Sequence, residues 1–204
     1  KHAWEKLFSD YRIRSIFSNR DYEPYAIQRD LEIRQLAQVK QIDFFQYKDQ
    51  VIFEQHEVCK DDQTSYTVFT PYKKKWLHKL MEHDYTIDTS FYFKSYPVEK
   101  KLDSLWKTGP IEYFELSDLG FVPSSIAIPS KKIIRQRIRD YTQNRDFPFL
   151  LGTSRLGIHF RFGTIRNNEK ARLASVLNAT FLSELIWRDF YSMILQSFPR
   201  VVHE

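Results

Sequence analysis

The sequence has a single cysteine, Cys59, and only five glycines among its 204 residues. One cysteine excludes an intrachain disulfide and a cysteine-based zinc site, and it favours a reducing, cytoplasmic setting. No apolar run approaches the roughly 18 residues that a membrane span needs. The chain opens on KHAWEKLF, which is charged and amphipathic and does not resemble the apolar core of a signal peptide. The composition therefore predicts a soluble, cytoplasmic protein without a membrane segment.

Several motifs that carry chemistry are also missing. The sequence contains neither GxGxxG nor GxxxxGK[ST], which excludes the two common glycine-rich phosphate loops. It contains no HExxH, and its six histidines show no metal-ligand spacing, so no metal site is predicted. No Ser/His/Asp arrangement supports nucleophilic catalysis.

Aromatic residues and unevenly placed charge are what the sequence does have. Aromatics make up 16% of the chain, a proportion that serves packing and can also build stacking surfaces for flat ligands. Residues 1–129 hold 18 Lys and Arg against 20 Asp and Glu, whereas residues 130–204 hold 13 against 6. The last third is therefore basic, as expected of a phosphate-binding surface, although many soluble domains carry such a bias without binding nucleic acid.

The chain divides into three predicted segments. Residues 1–81 read as α/β: a helix end in AWEKLFSDY, a strand in RIRSIFSN, a helix that begins at Pro24, a strand in IDFFQY and a short third strand in VIF. This order predicts a parallel sheet wound with helices. Residues 82–129 hold four of the eight prolines and read as a connector. Residues 130–204 are predicted to be helical.

Within the helical segment, Ser130 is predicted to cap a first helix, and Thr153 with Ser154 to start a second. The segment NATFLSELIWRDFYSMILQSF predicts the longest helix, which ends before Pro199. Its spacing places Glu184, Trp187 and Arg188 on one face. Two hypotheses fit that face: a surface ion pair beside a packed tryptophan, or a carboxylate, an aromatic ring and a guanidinium directed at one ligand.

Four segments in order, NRDYEPYAIQRD, TVFTPYKKKW, RDFPFLLGTSRLGIHFRFGTI and FLSELIWRDFYSMIL, resemble the photolyase/cryptochrome family. The similarity spans essentially the whole chain and is greatest to bacterial class I cyclobutane pyrimidine dimer photolyases. The resemblance implies an α/β antenna domain, a connector and an all-α FAD-binding domain. It also implies that the chain begins inside the antenna domain and ends before the residues that complete the flavin site.

The resemblance assigns roles to individual positions. It implies that FAD is bound by a set drawn from three places in the helical segment: Tyr141, Thr153, Ser154, Arg155, Leu156, Gly157, Phe181, Glu184 and Arg188. At two of these the chain departs from the family, which often has serine at Gly157 and tryptophan at Phe181. UV-damaged DNA is expected to be contacted by Arg145, Glu184, Trp187, Arg188 and Tyr191. Glu184 and Trp187 are expected to be catalytic: Glu184 as a hydrogen-bonding, charge-stabilising group, and Trp187 as a wall for the flipped-out dimer.

A second chromophore, a folate or a deazaflavin, is implied at Asn19, Asp21 and Glu23. The alternative is that Asp21 and Glu23 only cap the helix that begins at Pro24. The expected activity is light-driven repair of pyrimidine dimers by a monomeric enzyme. Two alternatives stay open: a DASH-type or signalling cryptochrome that binds FAD, and a basic nucleic-acid-binding module without flavin.

Overall fold

The computed structural model describes residues 2–82, 115–165 and 167–202, without the side chains of 167–170 and 172. Contacts divide the chain into two compact units. One unit is Lys1–His83 together with Ser130–Glu204, and the other is Asp84–Pro129. The domain boundaries after residues 81 and 129 stay predictions, and most of the predicted connector, residues 83–114, lies outside the described residues.

The first unit opens with two helices and two strands that alternate. These are α1 (His2–Asp10), β1 (Ser15–Asn19), α2 (Pro24–Val39) and β2 (Asp43–Tyr47). The strands pair in parallel, from Ser15 opposite Asp43 to Asn19 opposite Tyr47, so α2 is the crossover between them. The predicted strand, helix and strand are confirmed, with Pro24 in the first turn of α2, where its missing N–H costs nothing.

The two faces of this sheet differ. One face packs Ile16 against Ile33 and Ala37 of α2, with aromatic rings of α1 around them. The opposite face presents Phe17, Phe45 and Tyr47, which stack on one another with ring centroids 5.2 and 6.3 Å apart. All three of these rings are exposed.

The prediction of a third strand in VIF is wrong. Val51, Ile52 and Phe53 are buried but have no strand partner among the described residues. The backbone N–H groups of Ile52 and Phe53 donate to the side chain of Asp189, which lies far along the chain. A side chain takes the place of a neighbouring strand, because every buried N–H must find an acceptor.

Helix α3 (Phe69–Glu82) follows and buries Tyr72 and Trp76. The second unit has a short 3-10 helix, Leu116–Leu119, among its described residues. The α-helices that follow among the described residues are α4 (Arg135–Arg139), α5 (Tyr141–Asn144), α6 (Gly157–Arg161), α7 (Asn167–Leu177) and α8 (Ala179–Ser197). A parallel α/β region followed by a helical region confirms the predicted fold class.

Two predicted helix starts are displaced. Ser130 accepts from the N–H of Lys132, but the helix begins only at Arg135. Ser154 accepts from the N–H of Leu156, and the helix begins at Gly157. In both cases the hydroxyl orders a turn before the helix, a use of serine that competes with capping.

Candidate functional site

Helix α8 has a well-capped start that gathers the neighbouring segments. The side chain of Asn178 accepts from the N–H groups of Thr180 and Phe181, at 2.9 and 3.0 Å. Its amide also donates to the carbonyl of Arg139, at 2.9 Å. Thr142 on α5 donates to Asn178 and Thr180. These bonds hold α4 and α5 against the beginning of α8.

Four predicted site residues meet at this junction. The rings of Tyr141 and Phe181 lie edge to face, with centroids 5.2 Å apart. The guanidinium of Arg145 lies 5.7 Å from the Tyr141 ring centre and pairs with the carboxylate of Glu184. Burial, and then the charge of Glu184, raises the pKa of Tyr141. The hydrogen bond to Glu184 raises the pKa of Arg145. Segments about forty residues apart thus form one cluster, which we call the Tyr141 cluster.

Glu184 and Arg188 take separate partners, so the surface ion pair that their spacing allows is not the arrangement observed. Arg188 donates to the carbonyl of Gln50 and, at 3.3 Å, to that of Phe160. Burial lowers the pKa of Arg188. Glu184 keeps 38% of its side chain exposed. The carboxylate therefore faces solvent beside one cation, while the guanidinium is fixed to backbone.

Trp187 lies in an aromatic group. Its ring stacks on Phe69 at 3.6 Å and 6°, and on Tyr191 at 5.4 Å and 23°. It also meets Phe190 edge to face at 5.5 Å. Tyr191 is 58% exposed, and Trp187 is half-buried at the margin of this group. Tyr191 is the exposed member of this stack, where a further flat ring could be added.

The loop before α6 is held close to α5. A Cβ at Gly152 would lie 2.2 Å from the carbonyl oxygen of Asn144, so only glycine fits this approach. Arg155 has a positive φ of 54°. Leu156 is buried, whereas Thr153 and Arg155 are exposed. The open space beside Gly157, where an added Cβ would meet nothing within 4 Å, leaves room in front of this loop.

Asp21 and Glu23 line a cavity of about 210 Å³. Asp21 accepts from the N–H groups of Tyr22 and Glu23, at 2.7 and 3.4 Å. Glu23 occupies the N-cap position of α2 without a side-chain capping bond. Arg161 approaches both carboxylates, at 3.9 and 3.4 Å. Asn19, at the end of β1, is exposed. The other lining residues come mainly from α6 and α8: Tyr22, Gln50, Gly157, Phe160, Arg161, Arg188, Ser192 and Leu195.

Asp189 is a buried carboxylate that the sequence pattern does not single out as a site residue. This carboxylate is 1% exposed and accepts from Ile52, Phe53 and the indole N–H of Trp76. Burial raises its pKa to about 6. A signal was present, because Asp189 continues the apolar stripe of α8 at helical spacing. That stripe is Leu182, Leu185, Ile186, Phe190 and Met193. A charge on a buried stripe requires partners from elsewhere in the fold.

Within the described ranges, no helix is both long and apolar enough to cross a bilayer. The same residues contain no group of three or more histidine, cysteine, aspartate or glutamate side chains placed to hold a metal ion.

Comparison with known proteins places this geometry in context. Residues 2–89 match the family described as DNA photolyase. A deoxyribodipyrimidine photo-lyase of Alkalihalophilus pseudofirmus is 28% identical, over 94% of this chain and 42% of the relative. The enzyme of that name from Escherichia coli is 23% identical, over 96% of this chain and 43% of the relative. The chain thus spans less than half the length of the curated relatives that it matches.

Solved structures show the same fold. A bacterial class III photolyase from Agrobacterium tumefaciens superposes with a TM-score of 0.71 at 19% identity, over 98% of this chain and 44% of that one. An archaeal photolyase from Sulfolobus tokodaii, described with two FAD molecules, gives a TM-score of 0.54 at 19% identity. It is matched over 97% of this chain and 42% of that one.

Proposed function

We propose that the chain belongs to the photolyase/cryptochrome family and that its protein repairs cyclobutane pyrimidine dimers in DNA with light and reduced FAD. The curated relatives named above are deoxyribodipyrimidine photo-lyases, which supports this activity. The convergence of Tyr141, Arg145, Phe181 and Glu184 is the observation that carries the proposal. It brings residues proposed for cofactor, DNA and dimer into mutual contact.

The residues present fit FAD in the chemistry of their donors. Thr153 and Arg155 are exposed on a loop that Gly152 holds near α5, and the space beside Gly157 is open. A hydroxyl and a guanidinium on such a loop suit a pyrophosphate. Ser154, which accepts from Leu156, keeps its own O–H free to donate elsewhere.

The wall of the proposed flavin pocket is apolar. Phe181 is buried and packs edge to face with half-buried Tyr141, so it supports this wall from behind without an indole donor. Leu156 is buried as well, so through its side chain it supports the loop from behind. Arg188 has committed part of its guanidinium to two backbone carbonyls, and its remaining N–H groups can serve the cofactor and DNA.

The chemistry that FAD supplies when bound is one electron, lent in the excited, fully reduced state and returned after the two bonds joining the pyrimidines have broken. The chain's own residues hold and orient the dimer. Glu184, about one-third exposed, accepts hydrogen bonds from the N–H groups of the pyrimidine pair and so fixes its orientation. Trp187 and Tyr191 form an aromatic wall at the DNA side.

Arg145 is proposed to move between two anions. In the chain alone it pairs with Glu184, and both side chains are about one-third exposed. A DNA phosphate can compete for a guanidinium in that position, because exposed ion pairs contribute only about 0–1 kcal/mol. Transfer of Arg145 to phosphate would free Glu184 for the dimer.

For a second chromophore, a folate or a deazaflavin, we propose Asn19, Asp21 and Glu23 as contacts. The support is that Asp21 and Glu23 line the cavity described above. Their other role is visible too, because Asp21 orders the turn before α2 through two backbone N–H groups.

The test uses the complete protein that carries this chain, expressed with FAD and freed of unbound ligand by gel filtration. A retained flavin spectrum and loss of dimers from irradiated DNA under blue light, absent in the dark, are the expected results. Retained flavin without repair of duplex DNA would indicate a cryptochrome. DNA binding without flavin, and without preference for damage, would indicate a basic nucleic-acid-binding module and overturn the proposal.

A further inference from the structure

The environment of Asp189 is unusual for a carboxylate. Its Oδ2 accepts from the N–H of Phe53 at 3.1 Å and from the indole N–H of Trp76 at 3.0 Å. The N–H of Ile52 is shared between both oxygens, at 3.2 and 3.1 Å. Trp76 is wholly buried, as are Ile52 and Phe53. Three neutral donors thus converge on one charge that solvent does not reach.

This arrangement fixes geometry strictly. A buried carboxylate loses its hydration and is tolerated only while its hydrogen bonds are kept. Hydrogen bonds weaken steeply when their angle or distance departs from the preferred range. Helix α8 therefore cannot slide or rotate against Ile52, Phe53 and Trp76 without a large loss of free energy.

The neighbours of Asp189 on α8 strengthen the same attachment. Arg188 donates to the carbonyl of Gln50, so two consecutive side chains of α8 bind backbone groups of residues 50–53. One residue earlier, Trp187 stacks on Phe69 at the start of α3. The turn of α8 around residues 187–189 thus binds the first 82 residues through three consecutive side chains, in addition to the hydrogen bonds of Ser183 with Lys73 and of Ser197 with Ser65.

Glu184 is carried on the same rigid helix, five residues before Asp189. A helix turns through about 100° for each residue, so a rotation that released Asp189 would also swing Glu184 away from Arg145. The position of the exposed carboxylate therefore depends on the buried one.

We propose that Asp189 is a positioning residue for the repair site: its bonds to Ile52, Phe53 and Trp76 set the rotation of α8 that directs Glu184 and Trp187 toward the dimer. This inference rests on the proposed function for the meaning of that direction. It adds a residue that touches neither substrate nor cofactor.

Charged and titratable groups around Asp189 favour no other partner for it. Those that face it are Arg188 on α8, Tyr72 on α3 and Tyr22 after β1. Burial, followed by the nearby negative charges, raises the pKa of both tyrosines, so both stay neutral near pH 7. Arg188 is directed at backbone carbonyls. The three N–H donors therefore carry the positioning.

The test compares two substitutions with a control in the complete protein. Asp189→Asn keeps the shape but loses the charge. Trp76→Phe keeps an aromatic ring and removes one donor, which tests the same linkage if Asp189→Asn does not fold. Asp61→Asn is the matched control, because Asp61 is fully exposed and its ion pair is with Lys75.

Two readouts separate positioning from mere stability. The first is the ¹⁵N signal of the Arg145 guanidinium, assigned with Arg145→Lys, in variants that are folded by circular dichroism. The second is the rate of dimer loss per bound flavin at saturating DNA, measured well below the melting temperature. We expect the Arg145 signal to shift in both variants and the rate at saturating DNA to fall about 10- to 100-fold in Asp189→Asn. We expect Asp61→Asn to match wild type.

Opposite results overturn the proposal. An unchanged Arg145 signal in both variants would mean that α8 keeps its rotation without these bonds. A repair rate per flavin equal to wild type, with lowered melting temperature alone, would reduce Asp189 to a structural role. If wild type itself binds no flavin and repairs nothing, the proposed function fails. The Arg145 signal then still decides whether Asp189 positions α8.

Discussion

Helix α8 carries two carboxylates, five residues apart, in opposite environments. Asp189 is buried, accepts from three neutral N–H groups and has its pKa raised to about 6. Glu184 is 38% exposed and faces a single guanidinium. The same functional group on one helix is thus fixed at position 189 and available to a ligand at position 184.

The difference shows how one helix can serve structure and chemistry together. A group that binds a variable partner must be able to exchange it, which the weak, exposed pair of Glu184 and Arg145 allows. A group that holds the helix must be costly to release, which burial of Asp189 provides. The function of Glu184 is therefore expected to depend on the hydrogen bonds of Asp189. The free energy of unfolding, by contrast, should depend little on Glu184.

Replacement of each carboxylate by alanine should give the largest difference between the two residues in the free energy of unfolding. Asp189→Ala leaves three buried N–H groups without an acceptor and is expected to lower the free energy of unfolding by about 3–5 kcal/mol. Glu184→Ala removes an exposed pair and should cost under about 1 kcal/mol. Urea unfolding followed by circular dichroism measures both. Equal losses in the two variants would contradict the assigned environments.

The second largest effect is expected in the pH dependence of the free energy of unfolding. Burial raises the pKa of Asp189 to about 6 in the folded chain, against about 4 when unfolded. The folded state therefore holds this proton more tightly, and the stabilising contribution is complete below about pH 4 and lost as the pH rises through about 6. Asp189→Asn cannot titrate. The difference in unfolding free energy, wild type minus variant, should grow as the pH falls from 7 to 4, by up to about 3 kcal/mol.

Denaturant titrations of both proteins at several values between pH 4 and 7 test this. Asp61→Asn, a substitution at an exposed carboxylate, supplies the comparison. A difference that stays flat across the window would mean that Asp189 is not protonated near pH 6.

The regular elements of both regions could be predicted from local pattern. Pro24 marked the beginning of α2, and the apolar spacing after Asn178 predicted α8 to within a residue of its end. These features depend on neighbours within a few positions, which a single sequence displays. The residues of the Tyr141 cluster were named through family likeness and not through pattern.

The features that could not be predicted depend mainly on partners far away in the chain. Val51–Phe53 has the composition of a strand, but the acceptor for its N–H groups lies more than 130 residues later. Asp189 reads as a polar residue beside Arg188 until its donors are known. Ser130 and Ser154 have the composition of caps, yet each orders a turn earlier than the helix it was expected to start. A hydroxyl can satisfy either arrangement, and the sequence does not distinguish them.

Exchange of the exposed carboxylate for an amide should lower activity and leave stability nearly unchanged. Glu184→Gln keeps the shape but turns one acceptor oxygen into a donor, so repair in the complete protein is expected to fall about tenfold, equivalent to about 1.4 kcal/mol. The free energy of unfolding should stay within about 0.5 kcal/mol of wild type. Rates of dimer loss under fixed blue light, normalised to bound flavin, measure the effect. Full activity in this variant would remove Glu184 from the proposed mechanism.

The smallest expected effect concerns the partner of Glu184. If Arg145 leaves Glu184 for a DNA phosphate, Arg145→Gln should lower the slope of log affinity against log salt by about 0.9 and weaken binding a few-fold at low salt. Arg12→Gln is the matched control, because Arg12 is exposed and has no assigned role in binding FAD or DNA. Binding of irradiated and intact duplexes is measured by fluorescence anisotropy from 50 to 200 mM salt. An unchanged slope for Arg145→Gln would mean that Arg145 stays with Glu184 when DNA binds. Glu184 would then keep its partner as Asp189 does, and the contrast between the two carboxylates of α8 would no longer hold.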